Sequence, residues 1–127
     1  MAATDGMPPL LAVEDVNITI RHREGLLSIV DNVNFTLEGE RTMAIVGESG
    51  SGKSLLAMSI VRLLGDPRKF VVTGRIRFEG TDLLVLPESD MRRVRGRGIA
   101  IIFQDSLNAL NPVLTVGQQL AEAVARS

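Results

Sequence analysis

The chain has 127 residues, a net charge of −1, 45% hydrophobic and 23% charged residues, an ordinary globular balance with length enough for one modest core. A charge so near zero gives no global pull toward nucleic acid or an anionic membrane, and 3% aromatic residues, all Phe, leave little for stacking on bases. The absence of Cys excludes a disulfide framework and a thiolate metal site, and fits a reducing compartment.

In chain order, residues 1–9 read as a flexible lead-in, with Gly6, Pro8 and Pro9. They carry neither the basic nor the apolar region of a signal peptide. No apolar run in the chain approaches the roughly 20 residues that span a bilayer. Residues 10–20 predict a strand, because Val16, Ile18 and Ile20 alternate with Asn17 and Thr19. After a polar turn at Gly25, Val33, Phe35 and Leu37 alternate with Asn34 and Thr36, which predicts an antiparallel partner.

Thr42 to Val46 are short and apolar without alternation, the pattern of a strand buried on both faces of a parallel sheet. A helix is predicted from Lys53 to Leu64, ended by Gly65 and Pro67. Gly74 to Phe78 predict a strand turned back at Gly80. Pro87 to Arg95 predict a helix with Pro87 in its first turn, and the run Arg92, Arg93, Arg95, Arg97 reads as its solvated end. Ile99 to Phe103 predict a second fully buried strand. Thr115 and Gln118 have the spacing of a capping box opening a helix toward Ala125.

The chemistry concentrates in Gly47-Glu48-Ser49-Gly50-Ser51-Gly52-Lys53-Ser54, which matches G-x-x-x-x-G-K-[ST] between a predicted buried strand and a helix. Glycines let the backbone turn its N–H groups inward as an anion nest, and the following helix adds its free N–H groups and positive dipole end. Lys53 can reach the β- and γ-phosphates of a nucleoside triphosphate, and the Ser54 hydroxyl can ligate Mg2+. Hydrolysis needs a further polar group at the end of a second buried strand. Two residues compete for that place. Asp105 would make the chain a self-contained small P-loop NTPase or kinase; Gln104 would touch Mg2+ and the attacking water through its amide. Spacing alone leaves both open.

Residues 48–54, followed by Arg95-Gly96-Arg97-Gly98-Ile99-Ala100-Ile101-Ile102-Phe103-Gln104 and by Asp105-Ser106-Leu107-Asn108-Ala109-Leu110-Asn111-Pro112, resemble the ATP-binding subunits of ABC transporters. The resemblance is strongest to the oligopeptide/dipeptide/nickel importer family, through Leu110-Asn111-Pro112, and runs from Leu10 onward. It implies an α/β fold: a P-loop NTPase core with an N-terminal antiparallel β-subdomain, residues 10–127 forming the N-terminal part of the ATP-binding domain. It implies ATP and Mg2+ as cofactors and Gln104 as the Q-loop residue beside Lys53 and Ser54, with Asp105 an ordinary loop residue. Ile20 falls where the family stacks adenine on an aromatic ring, and offers apolar packing without π-stacking; the lone His22 reads as a solvated turn residue. Partners implied are a second ATP-binding domain, in a homo- or heterodimer, transmembrane permease subunits and, indirectly, an extracytoplasmic solute-binding protein, with no nucleic acid. The place implied is the cytoplasmic face of the membrane, peripherally. The family's L-S-G-G-Q signature, second acidic strand (Walker B) and switch His are absent from these residues. The chain therefore reads as the N-terminal portion of such a subunit, expected to hold ATP without turning it over; the third alternative is an inactive nucleotide-binding fragment.

Overall fold

The structure, a computed structural model, describes residues 7–105 and 108–126. The first six residues of the lead-in, Ser106 and Leu107 of the Asp105–Pro112 turn, and Ser127 lie outside the described residues. The chain divides into two compact units, Met1–Leu86 and Pro87–Ser127.

The first unit is built on strand β1 (Leu11–His22), flanked by β2 (Gly25–Leu37) and β3 (Phe70–Phe78), with the short β4 (Thr81–Asp82) beyond β3. Every pairing is antiparallel and the order is β2-β1-β3-β4. The predicted strand pair is there, and so is the hairpin turned at Gly80. Val13, Val16, Ile18, Val30 and Ile76 are buried, each adding about 1.5–3 kcal/mol of hydrophobic stabilisation.

Val13 and Val16 are three apart, so strict alternation would put them on opposite faces; both are buried. A bulge reconciles them. Opposite β2 the register steps from Val13↔Phe35 to Val16↔Val33, and opposite β3 from Glu14↔Arg75 to Asn17↔Thr73, so β1 carries one extra residue toward both neighbours. Asp15 takes a left-handed φ of 49° there. Asparagines hold it: the Asp15 N–H donates to Asn34 Oδ1 (2.8 Å), Asn17 Nδ2 donates to the Asp15 carbonyl (2.8 Å), and the Asn32 N–H donates to Asn17 Oδ1 (2.8 Å). On the β3 side Gly74, at φ 98°, makes room for the bulged backbone.

Helix α1 (Lys53–Ile60) stops four residues before the predicted end at Leu64. Arg62, at φ 55°, occupies the left-handed position of a Schellman stop: its N–H donates to the Ser59 carbonyl (3.1 Å) and the Leu63 N–H to the Met58 carbonyl (2.9 Å). Glycine usually fills that position. Here the Arg62 side chain offsets the strain by donating from Nη1 to the carbonyls of Leu86 (2.6 Å) and Leu83 (3.3 Å). In the turn before β3, the Arg68 side chain and N–H bond the Asp66 carboxylate and hold its pKa below the ordinary carboxylate value.

The largest correction concerns the two expected core strands. Residues 42–46 and 99–103 form no strand; Val46 is 89% and Ile102 95% exposed. The parallel sheet of the expected P-loop core is thus not formed among the described residues. An apolar run becomes a buried strand only where other strands take up its backbone N–H and C=O groups on both sides, and no described segment does so for either run.

In the second unit, α2 (Glu88–Arg93) begins after Pro87, which precedes the helix and is not part of its first turn. A π-helical turn, Val94–Gly98, follows, and α3 spans Val116–Arg126. The capping box is present: the Thr115 N–H donates to Gln118 Oε1 (2.9 Å) and the Gln118 N–H to Thr115 Oγ1 (3.2 Å). Thr115→Ala should cost α3 about 1 kcal/mol, read as a loss of helical circular dichroism that Thr115→Ser largely restores. No helix among the described residues is long and apolar enough to cross a membrane.

Candidate functional site

The loop from Gly47 to Ser54 leads into the N-terminus of α1. A turn closes it, the Ser51 N–H donating to the Glu48 carbonyl (3.2 Å). Gly50 and Gly52 take left-handed φ values of 81° and 90°, the conformation glycine adopts without steric cost. Gly52 is the N-cap of α1, and the first helical bond, from the Leu56 N–H to its carbonyl, is 2.9 Å. No side chain caps this end, so the first-turn N–H groups stay open to an acceptor from outside.

Lys53 folds back over the loop. Its ammonium donates to the carbonyls of Gly47 (2.6 Å) and Glu48 (2.7 Å) and to Ser51 Oγ (3.0 Å). Three neutral oxygens therefore hold one cation at the loop's mouth. Gly47 faces the same space: a Cβ there would stand 2.7 Å from Ser51 Oγ and 3.5 Å from Lys53 Nζ. The cradle is one that any larger residue at this position would fill. Its donors are a lysine ammonium, two serine hydroxyls at Ser51 and Ser54, and an uncapped helix start. That set fits the oxygens of a polyphosphate, and the exposed Ser54 hydroxyl fits a hard cation bridging them.

The seat of the loop was not anticipated from the sequence. β2 bulges where Ile18↔Val30 is followed by Thr19↔Ser28, leaving Ile29 as the extra residue. Both Ile29 and Val30 then meet Gly52: a Cβ on Gly52 would come within 2.9 Å of Val30 Cγ2, 3.3 Å of Ile29 Cγ2 and 3.3 Å of the Ile29 carbonyl. The signal that could have located it is the adjacent apolar pair Ile29-Val30, which breaks the alternation of β2 as Leu26-Leu27 also does nearer the turn.

The remaining expected residues fall as follows. Ile20 lies half-buried near the end of β1, flanked across the sheet by Leu27 on β2 and Phe70 on β3. His22 is exposed and pairs with Gly25 at the hairpin end. Gln104 and Asp105 belong to the second unit, exposed, with Asp105 Oδ2 accepting from Asn108 Nδ2 (2.7 Å). The structure brings Gly47, Glu48, Ser51, Gly52 and Lys53 together; it does not gather Gln104 with them inside one unit. Among the described residues, no group of three or more His, Cys, Asp or Glu side chains could hold a metal ion.

Sequence comparison extends this local picture. The sequence model of the ABC transporter family matches residues 30–127. A putative peptide import ATP-binding protein of Brucella abortus (strain 2308) is 46% identical over 116 residues, 91% of this chain and 35% of the relative. The oligopeptide transport ATP-binding protein OppD of Bacillus subtilis (strain 168) is 44% identical over 115 residues, 91% of this chain and 32% of its own length. An uncharacterized ABC transporter ATP-binding protein of Escherichia coli (strain K12), YejF, is 43% identical over 116 residues, 91% of this chain and 22% of its own. The chain spans about a third of the length of the first of these relatives. With its phosphate-loop geometry, its antiparallel sheet and a family match over more than half its residues, this chain belongs to the ABC transporter family.

Proposed function

We propose that residues 47–54 bind the phosphates of ATP together with Mg2+, and that in the full-length protein this binding, with hydrolysis, powers import of peptides or a related small solute. The observation that carries the reading is the mouth of the loop: the Lys53 ammonium bound to three oxygens beside an uncapped helix start. On this proposal the backbone N–H groups of Glu48, Ser49, Gly50 and Gly52, and that of Ser51 once it leaves the Glu48 carbonyl, face the phosphate oxygens, and Lys53 leaves its carbonyl partners for the β- and γ-phosphates. Ser54 and Gln104 would hold magnesium, Gln104 would also orient the attacking water, and Ile20 would pack against the base. Magnesium, when bound there, would supply charge neutralisation to the phosphates.

The peptide-import part rests on the relatives' names and on Leu110-Asn111-Pro112. It carries with it a second ATP-binding domain, permease subunits, an external solute-binding protein, no nucleic acid, and a peripheral position on the cytoplasmic face of the membrane. Residues 10–127 are then the N-terminal part of one ATP-binding domain. Binding drives such a machine only through differential affinity for two conformations, so nucleotide must favour one of them.

Calorimetric titration of the chain with ATP, with and without Mg2+, tests the site. Saturable binding that tightens with magnesium is the expected result; no binding at millimolar ATP would remove the proposal.

A further inference from the structure

The second unit holds a group of cations for which the phosphate loop has no use. Arg92, Arg93, Gly96 and Arg97, with Arg126 of α3, line a cavity of about 260 Å3, and every charged side chain on its wall is an arginine. As a run in the sequence these residues read as a solvated helix end. The fold adds three things. The π turn at Val94–Gly98 brings Arg97 to the same cavity as Arg92 and Arg93. At Gly96 that turn lies beside the end of α3, where an added Cβ would be in ordinary contact, 3.8 Å from the Arg126 carbonyl. And the nearby acids are engaged: Glu88 by Arg95 through two bonds of 2.7 and 3.3 Å, Asp90 by Arg93 at 3.6 Å, Glu122 by Arg126. Arg92 and Arg97 have no ion-pair partner among the described residues.

We propose that this cavity binds a phosphate group, through residues separate from 47–54. Asp90 and Glu122 already compensate Arg93 and Arg126, which leaves Arg92 and Arg97 as like charges with no anion between them, and each guanidinium presents a planar fork of N–H donors that matches two oxygens at once. A tetrahedral phosphate offers oxygens to several forks on different sides, where a carboxylate offers two in one plane. The volume is slightly below the roughly 300 Å3 at which small-ligand pockets begin, and the wall has no aromatic or large apolar side chain. It therefore suits a phosphate with little attached inside the cavity, and not a nucleoside. Such a group comes either from a free phosphate ester or from the headgroup of an anionic lipid.

The test uses the full chain carrying Lys53→Ala, so that the phosphate loop does not contribute. One arm titrates inorganic phosphate by calorimetry; the other measures co-sedimentation with phosphatidylglycerol vesicles against phosphatidylcholine vesicles. In the Arg92→Gln/Arg97→Gln variant, phosphate affinity should fall by about tenfold or more, and Glu122→Gln, which releases Arg126, should raise it severalfold. Arg97→Lys, which keeps the charge and loses the fork, is the milder variant should the double one lose its circular dichroism; it too should weaken binding. Phosphate binding without vesicle retention identifies a free ester, and retention on phosphatidylglycerol lost in the variants identifies the lipid. Absence of both in the Lys53→Ala parent, or binding indifferent to the arginine changes, overturns the proposal.

Discussion

Gly74→Ala should cost the four-stranded sheet about 3–5 kcal/mol, among the largest effects any single exposed position can give. Two penalties coincide. The residue sits at φ 98°, where an L side chain is strained. Its new Cβ would also stand 2.5 Å from the Asp15 carbonyl oxygen and 2.7 Å from the carbonyl carbon of Asp15 and the oxygen of Glu14. All three are backbone atoms of the bulge, so no rotamer change relieves the clash. The bulge would have to move, and the Asn17, Asn32 and Asn34 bonds that hold it would move with it. Gly80→Ala separates strain from clash. That glycine is also left-handed, at φ 82°, but has nothing within 4 Å of a Cβ, and should cost only about 1 kcal/mol. Urea midpoints of the two variants measure the difference; equal values would mean that the bulge yields easily.

Lys53→Ala should weaken ATP by about a hundredfold or more while leaving stability nearly unchanged. A hydrogen bond to a charged group contributes about 1.5–3 kcal/mol, and the ammonium is proposed to meet two phosphates, which places the loss at or beyond the roughly 2.7 kcal/mol of a hundredfold change. Stability behaves differently because the oxygens that Lys53 now holds, on Gly47, Glu48 and Ser51, are exposed and pass to water. Calorimetry with Mg-ATP and a urea melt on the same variant read the two quantities. Unchanged affinity would remove Lys53 from the site; a large fall in stability would make its role structural.

The features legible in the sequence are those whose cause lies within a few residues. Thr115 and Gln118 are three apart and bond each other, so the pattern contains the structure. The Gly74–Gly80 hairpin and the β1–β2 pair follow from alternation and turn residues alone. The glycines of the phosphate loop are likewise local, and their left-handed φ values at Gly50 and Gly52 accord with the motif. What escaped depends on partners far along the chain. The Asp15 bulge needs Asn34 on one neighbour and Gly74 on the other. The composition of residues 42–46 and 99–103 predicts burial, but burial requires flanking strands that no property of the run itself supplies. Arg126 joins Arg92 and Arg97 because the π turn lies beside the end of α3.

The stop of α1 at Arg62 carries a consequence for the order of folding. Nothing in the sequence from Lys53 to Leu64 prevents the helix from running on, and a left-handed arginine is disfavoured by itself. The stop is held by carbonyls 21 and 24 residues downstream, at Leu83 and Leu86. A helix that begins at a local glycine thus ends at a distant contact, and its two ends mature at different times. The N-terminal end, which opens onto the phosphate loop, can form as soon as the helix nucleates. The C-terminal end waits for loop closure across β3 and β4, a non-local step that is slow relative to helix formation. The length of α1 in the folded unit is therefore set by a contact outside the helix and not by the residues of the helix itself.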